Sequence, residues 1–264
     1  MISAVLDAAP AAAPDATLLS RDVDGVRVLT LNRPQRRNAL DTALTLALLQ
    51  ALRNADADAG VRAVVLAASG TVFSAGADLG EFKAERADPA AESYRSDLYL
   101  DLLLAFRQSA TPIVLAVQGA AIGMGAALVN VADLVVLAAS ARVSYPEVKH
   151  GMMPGLIAPV VQAYVPGKKA FEMLALGDGL GGADAIACGM ANLVVADDQV
   201  LAQAMALATR LAALDADALR GTKVMLGGMA GLPFADALRF GRESSRRLHE
   251  ARVLQAALKG GGQA

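Results

Sequence analysis

The composition of the 264-residue chain excludes several broad classes of protein. Hydrophobic residues make up 55% and charged residues 19%, so a large folded core is expected and extensive disorder is not. The formal net charge of −2 argues against nucleic acid as the main partner. Cys188 is the one cysteine and reads as a small buried hydrophobe, and His150 and His249 are the only histidines. This inventory excludes an intramolecular disulfide and gives no metal-ligand spacing, so no metal site is expected.

The two ends of the chain are predicted to be flexible tails, at residues 1–16 and 260–264. The first segment is rich in alanine and proline, has no basic residue before Arg21 and lacks the sustained apolar stretch of a signal peptide. No run of 18 or more apolar residues occurs, so neither a membrane span nor a membrane partner is expected. These features favour a cytoplasmic protein.

The first half of the chain predicts alternating strands and helices. The hydrophobic periodicity indicates strands over 26–31 and 61–68, helices over 38–53 and 94–109, and a mobile polar loop over 81–93. The 61–68 run is almost continuously apolar, which is typical of a strand covered on both faces.

The second half continues this alternation and then becomes helical. Strands are predicted over 111–117, 133–138 and 142–145, with a glycine turn and a helix to about Val131 after the first of them. After Val195 the pattern indicates three helices, over 197–214, 217–226 and 234–258. The whole pattern predicts an α/β core over 17–196 and a C-terminal helical region over 197–259.

Two turns of small residues follow buried strands and lead into helices. In the first, Gly76 permits a tight backbone path and Ala77 presents its N–H without a bulky side chain; in the second, Gly123 and Gly125 flank Met124. Two unpaired N–H groups aimed at one point would stabilise a developing oxyanion. Each glycine turn alone is more simply explained by close packing of strand against helix, but two such turns after successive strands favour a paired function.

Glu147 is the candidate acid–base residue. It follows Pro146 at the end of a predicted strand in mostly apolar surroundings, where a carboxyl group has a raised pKa and can take and return a proton. The alternative for an isolated glutamate is an exposed loop acid. Neighbouring Lys149 reads as a solvated charge and His150 as a loop residue.

Two other chemistries lack the necessary residues. There is no G-x-S-x-G motif, and Ser74 has no evident histidine–aspartate relay, which argues against a serine hydrolase. The glycines at 123 and 125 resemble part of a dinucleotide fingerprint, but Leu128 occupies the third glycine position and the N-terminal βαβ context is missing.

Together these segments resemble the enoyl-CoA hydratase/isomerase (crotonase) superfamily over nearly the whole chain. The matching motifs are Leu31-Asn-Arg-Pro-Gln-Arg-Arg-Asn-Ala-Leu40, Val72-Phe-Ser-Ala-Gly-Ala-Asp-Leu79, Ala116-Val-Gln-Gly-Ala-Ala-Ile-Gly-Met-Gly125, Pro146-Glu147 with Gly151 and Pro154-Gly155, and the stretch from Gly182 to Val195. The resemblance implies a spiral of ββα units with a helical C-terminal part, assembled as a homotrimer or homohexamer.

The resemblance also implies a set of site residues. The N–H groups of Ala77 and Met124 would form the oxyanion hole for the carbonyl of an acyl-CoA thioester, and Glu147 would be the catalytic acid. No permanently bound cofactor is implied, because coenzyme A arrives as part of the substrate. The implied substrate-binding residues are Arg36, Ala75, Gly76, Asp78, Leu79, Gly80, Gly123 and Gly125.

Two departures from the family pattern bear on the reaction. Hydratases of this family carry a first catalytic glutamate at the position that is Ala127 here, and residues 254–259 lack the usual phenylalanine and Lys-Arg pattern near the CoA. With one acid, the sequence slightly favours isomerisation of an enoyl-CoA in fatty acid metabolism. The alternatives are a single-glutamate enoyl-CoA hydratase, with branched substrates among the options, and an acyl-CoA-binding protein with little turnover.

Overall fold

The computed structural model describes residues 16–85 and 88–260. Residues 1–15 and 261–264, which make up most of the two predicted tails, lie outside the described residues.

Apolar strands form a central sheet and a second, smaller sheet. The strands are β1 (Leu18–Val23), β2 (Val26–Leu31), β3 (Ala63–Ala68), β4 (Ile113–Val117), β5 (Ala120–Ile122), β6 (Leu134–Ala138), β7 (Arg142–Ser144) and β8 (Leu193–Val195). The central sheet has the order β1-β2-β3-β4-β6-β8, in which β1 is antiparallel to β2 and the other pairs are parallel. β4 is buried along its whole length, as expected for a parallel strand covered on both faces.

The second sheet brings distant turns of the chain together. It pairs β5 with β7 in parallel, and Ser74 forms an isolated bridge to Ala121 of β5. Each of β4 and β6 is thus followed directly by a short strand of the second sheet. This repetition is the predicted ββα organisation, and it places the ends of successive units side by side.

The helices surround these sheets. They are α1 (Thr42–Ala57), α2 (Leu79–Glu85), α3 (Pro89–Gln108), α4 (Met124–Val131), α5 (Ile157–Gln162), α6 (Gly167–Leu176), α7 (Gly182–Ala187), α8 (Val200–Ala212), α9 (Ala216–Met229) and α10 (Phe234–Gly260). α1 begins later than predicted, because Asn38 adopts a left-handed conformation and the Asp41 side chain caps the helix by accepting from the N–H of Leu44.

The prediction of a mobile loop over 81–93 is wrong, because helices α2 and α3 cover most of this segment. Asp88 caps α3 by accepting from the N–H groups of Ala90 and Ala91, and Pro89 occupies the first turn, where its missing N–H costs nothing. The guanidinium of Arg95 lies 4.8 Å from the centre of the Phe82 ring, which ties α3 to α2. The high charge of the segment obscured this helix start.

The three helices predicted after Val195 are confirmed as α8, α9 and α10. Lys223 of α9 connects this region to the sheet: its Nζ lies 2.7 Å from Asp133 and donates to the carbonyl oxygen of Thr111 at 3.0 Å. The division of the chain at residues 196 and 197 stays a prediction. Across residues 16–85 and 88–260, no helix has the length and apolar character that a membrane crossing requires.

Candidate active site

The first small-residue turn leaves the N–H of Ala77 without an acceptor. Leu40 bridges this segment, donating from its N–H to the oxygen of Gly76 at 2.7 Å and accepting from the N–H of Asp78 at 3.2 Å. Successive N–H groups along an extended segment point to opposite sides, so the N–H of Ala77 points away from Leu40. Within the described residues it makes no hydrogen bond.

Buried Asn38 and Ser74 fix this turn in place. The Asn38 amide donates to the carbonyl oxygens of Ser69 and Val72, both at 2.8 Å. The Ser74 hydroxyl donates to the oxygen of Asn38 at 2.8 Å and accepts from the N–H of Gly76 at 3.2 Å. Ser74 is therefore engaged in holding the turn, which agrees with the prediction that it is not a nucleophile.

Replacing Asn38 by alanine is expected to lower the free energy of unfolding by about 3 kcal/mol, because buried carbonyl oxygens lose their donor. Its backbone φ of 52° adds strain for alanine, since asparagine tolerates the left-handed region better. Urea denaturation measures the change. Asn54→Ala is the matched control, because the Asn54 amide lies on the exposed face of α1 and bonds only to Gln50 in the described structure. Equal stability of the two variants would contradict the assigned role.

Asp78 supports the turn from inside. Arg33 lies 3.2 Å from Asp78 and 2.8 Å from Asp41, and all three side chains are mostly buried. Burial acts to raise the pKa of Asp78, but the N–H of Gly80 and the Arg33 guanidinium outweigh it and hold the pKa below its usual value. Asp78 and Gly80 were predicted to bind substrate; here the carboxylate and the N–H are engaged with each other.

The second turn leaves the N–H of Met124 unpaired. Gly123 has a φ of 53°, and its own N–H donates to the oxygen of Ser144 in β7 at 2.9 Å. Met124 is the first residue of α4, where N–H groups have no partner inside the helix, and in the described structure it donates to none elsewhere. The positive end of the helix dipole adds to the attraction for negative charge.

The glycines allow the two turns to touch. A Cβ atom added to Gly76, whose φ is 85°, would lie 2.5 Å from the oxygen of Ile122 and 3.3 Å from the nitrogen of Met124. A Cβ on Gly125 would lie 2.6 Å from Cβ of Ser74. The close packing that these glycines allow therefore brings together the two turns that carry the unpaired N–H groups.

The carboxylate of Glu147 lies beside the second turn. Glu147 begins the short 3-10 turn Glu147–His150 directly after β7 and Pro146. A Cβ on Gly123 would lie 2.6 Å from Oε1, so the carboxylate covers the residue before Met124. Oε2 is buried and has no hydrogen-bond partner in the described part of the chain. Burial raises the pKa of Glu147 and outweighs the hydrogen bond from its own backbone N–H and the nearby His150, which both act to lower it, so the group is suited to acid–base exchange.

No second carboxylate faces Glu147 from helix α4. Ala126 and Ala127 are fully buried there, and the N–H of Ala127 donates to the oxygen of Gly123 at 2.9 Å. Asp78 is paired with Arg33, as described above. Across the described residues there is also no cluster of three or more histidine, cysteine or acidic side chains that could hold a metal ion.

The remaining predicted residues lie around the two turns. Leu79 is 63% exposed at the start of α2, and Ala75 donates from its N–H to the oxygen of Arg37 at 2.9 Å. Arg36 is exposed in the 3-10 turn Pro34–Arg36. Lys149 is solvent-exposed and pairs with Asp178 at 2.7 Å. The substrate-binding roles predicted from the sequence all stay predictions: Arg36, Ala75, Gly76, Asp78, Leu79, Gly80, Gly123 and Gly125.

Comparison with known proteins shows the family to which the chain belongs. The model of the Enoyl-CoA hydratase/isomerase family matches residues 21–262. A Thermus thermophilus protein named as an enoyl-CoA hydratase is 36% identical over 237 residues, which cover 89% of this chain and 93% of the relative. The 2,3-dehydroadipyl-CoA hydratase of Escherichia coli is 33% identical, covering 76% of this chain and 78% of its own.

Solved structures agree with the sequence comparison. The crystal structure of an enoyl-CoA hydratase from Mycobacterium smegmatis superimposes with a TM-score of 0.81 at 33% identity, covering 88% of this chain and 90% of the other. The chain therefore belongs to the enoyl-CoA hydratase/isomerase (crotonase) family. The predicted fold class is confirmed, and acyl-CoA thioesters are the substrates that the family implies.

Proposed function

We propose that the protein is an enoyl-CoA isomerase that uses Glu147 as its single acid–base group. The observation that carries this proposal is one carboxylate, with a buried and unpartnered Oε2, beside the turn that carries the unpaired N–H of Met124, which packs against the turn that carries the unpaired N–H of Ala77. A double-bond shift needs one base that takes a proton and returns it. Addition of water needs this base and also a second group that orients the water, and the Ala127 side chain has no polar atom for that purpose.

The geometry supports a two-step proton shuttle on a 3-enoyl-CoA thioester. The thioester oxygen accepts hydrogen bonds from the N–H groups of Ala77 and Met124, which stabilise the negative charge of a dienolate. Glu147 breaks the C2–H bond by taking its proton, and the electron pair moves into the conjugated system. The protonated Glu147 then donates to C4, which leaves the double bond between C2 and C3 and restores the carboxylate.

A second candidate is a single-glutamate enoyl-CoA hydratase, which could take branched substrates. The hydratase names of the Thermus thermophilus and Escherichia coli relatives favour it. In this case Glu147 would activate the water and also protonate C2, with the substrate or another group orienting the water.

A paired substrate assay is expected to separate the candidates. With 3-enoyl-CoA thioesters of several chain lengths, absorbance of the conjugated thioester should rise with no change of product mass. With 2-enoyl-CoA thioesters, loss of conjugation with a gain of one water would instead establish hydration and overturn the isomerase proposal. Binding of acyl-CoA without either product would identify an acyl-CoA-binding protein, the remaining alternative.

We also propose that the chain assembles as a homotrimer or homohexamer in the cytoplasm. Large apolar side chains on the described surface support burial against other copies, with Met153 at 89%, Phe171 at 75% and Phe234 at 80% exposure. Light scattering of the purified protein measures the assembly. The role in fatty acid metabolism is likewise a proposal.

A further inference from the structure

Tyr145 and Asn130 are buried polar residues that the shuttle described above does not use. Tyr145 is fully buried and lies two residues before Glu147, while Asn130 is 3% exposed in α4. We propose that these two residues are a positioning pair that holds the carboxylate of Glu147 over the second turn. This inference rests on the proposed function, because it assigns the pair a role through Glu147.

The hydroxyl of Tyr145 joins the acid-bearing segment to helix α4. It accepts a hydrogen bond from the Asn130 amide and donates to the oxygen of Ala126 at 3.1 Å. Both partners lie on the helix whose first residue is Met124. The hydroxyl thus fixes the distance between the segment that carries the acid and the helix that carries an oxyanion donor.

In the described structure no other side chain bonds to the Glu147 carboxylate, which is held by a hydrogen bond from its own backbone N–H. Oε2 has no hydrogen-bond partner there, so the position of the carboxylate depends on the backbone that carries it. Three residues before Glu147, this backbone is fixed where Ser144 pairs with Ile122 and accepts from the N–H of Gly123 at 2.9 Å. The next residue, Tyr145, adds an attachment through its side chain to α4.

Tyr145 itself is not suited to proton transfer. Burial raises the pKa of Tyr145 far above its usual range, and the nearby Glu147 carboxylate acts in the same direction. The hydroxyl therefore stays protonated and donates a hydrogen bond to the oxygen of Ala126. The role assigned to this hydroxyl is therefore to place Glu147, and direct proton transfer is not part of it.

The test compares Tyr145→Phe with Tyr164→Phe, which removes a hydroxyl that bonds to Arg107 at the end of α3. For Tyr145→Phe, kcat should fall about tenfold while KM stays within about twofold, because misplacing a catalytic group lowers rate without weakening binding. Affinity for a saturated acyl-CoA, which requires the two turns but no proton transfer, should not change. Tyr164→Phe should keep full turnover.

A Glu147→Gln background separates positioning from general loosening of the structure. Adding Tyr145→Phe to it should cause no further loss of residual turnover. A further loss as large as the one that Tyr145→Phe causes in the unchanged protein would overturn the positioning role.

Asn130→Ala, which keeps the Tyr145–Ala126 bond, should lower kcat less than Tyr145→Phe does. Thermal melting reports the folded fraction of each variant. If Tyr145→Phe keeps full turnover while Glu147→Gln is inactive, the positioning role is wrong and the proposed function stands. If Glu147→Gln itself keeps full turnover, the proposed function is wrong.

Discussion

Glu147→Gln is expected to lower kcat by about 10³-fold, while affinity for a saturated acyl-CoA stays near that of the unchanged protein. Glutamine keeps the volume and one carbonyl oxygen of the side chain but cannot take a proton. The proposed oxyanion donors belong to the backbone of Ala77 and Met124, so thioester binding should survive. The measurement is the rate of conjugation of a 3-enoyl-CoA at saturating substrate.

The same variant should remain folded and be more stable at neutral pH. Because burial raises the pKa of Glu147, the native protein binds its proton up to a higher pH than the unfolded chain does. The protonated carboxyl group therefore contributes its full stabilisation below the pKa that Glu147 has in the unfolded chain. This contribution is lost as the pH rises through the higher pKa of the folded protein, because a buried charge then forms. Glutamine avoids this loss, so its advantage in thermal melting should appear at neutral pH and vanish in acid.

Glu147→Asp is the informative control, because it keeps a carboxyl group and shortens the side chain by one carbon. It should retain part of the turnover that glutamine abolishes. If both variants turn over at the rate of the unchanged protein, Glu147 is not the catalytic acid, and a role in acyl-CoA binding without this chemistry has to be considered.

Met124→Pro is expected to lower kcat by about 10²-fold or more, because proline deletes the N–H that is proposed as one of the two oxyanion donors. The position is favourable for this substitution: Met124 is the first residue of α4, where proline is tolerated, and its N–H makes no hydrogen bond in the described structure. Gly123 before it has no side chain to clash with the proline ring.

Met124→Leu is the matched control, since it keeps the N–H and a buried apolar side chain of similar size. Its kcat should stay within about threefold of the unchanged protein, because volume-conserving core changes are well tolerated. Equal turnover of the proline and leucine variants, both folded by circular dichroism, would remove Met124 from the oxyanion hole.

The candidate site residues that depend on local pattern can be predicted from the sequence. Buried strands were visible as apolar runs, and the glycines after them marked the turns that carry Ala77 and Met124. Glu147 stood out because a carboxylate after a strand is unusual in apolar surroundings. The pairing of the two turns is predicted from their position after successive strands and from the family resemblance, and the structure adds a physical reason, which is contact between Gly76 and the backbone of the second turn.

The supporting polar residues could not be predicted, because their partners are far away in sequence. Asn38 bonds to Val72, and Tyr145 bonds to Asn130. No local sequence pattern predicts either pair. The helix start at Asp88 and Pro89 was missed for another reason. Its signal is local and readable, but the many charges from Glu81 to Ser93 outweighed it in the prediction of a loop.

The contact between the two turns has a consequence for how this protein can change over generations. Two of the three groups proposed to act in the reaction are peptide N–H groups, which every residue except proline supplies, so most point mutations cannot delete them. Under the proposed function, stabilisation of the thioester oxygen tolerates most substitutions at 77 and 124, provided the glycines remain. Changes of reaction type would then depend on a few side chains around the turns, foremost those at 127 and 147.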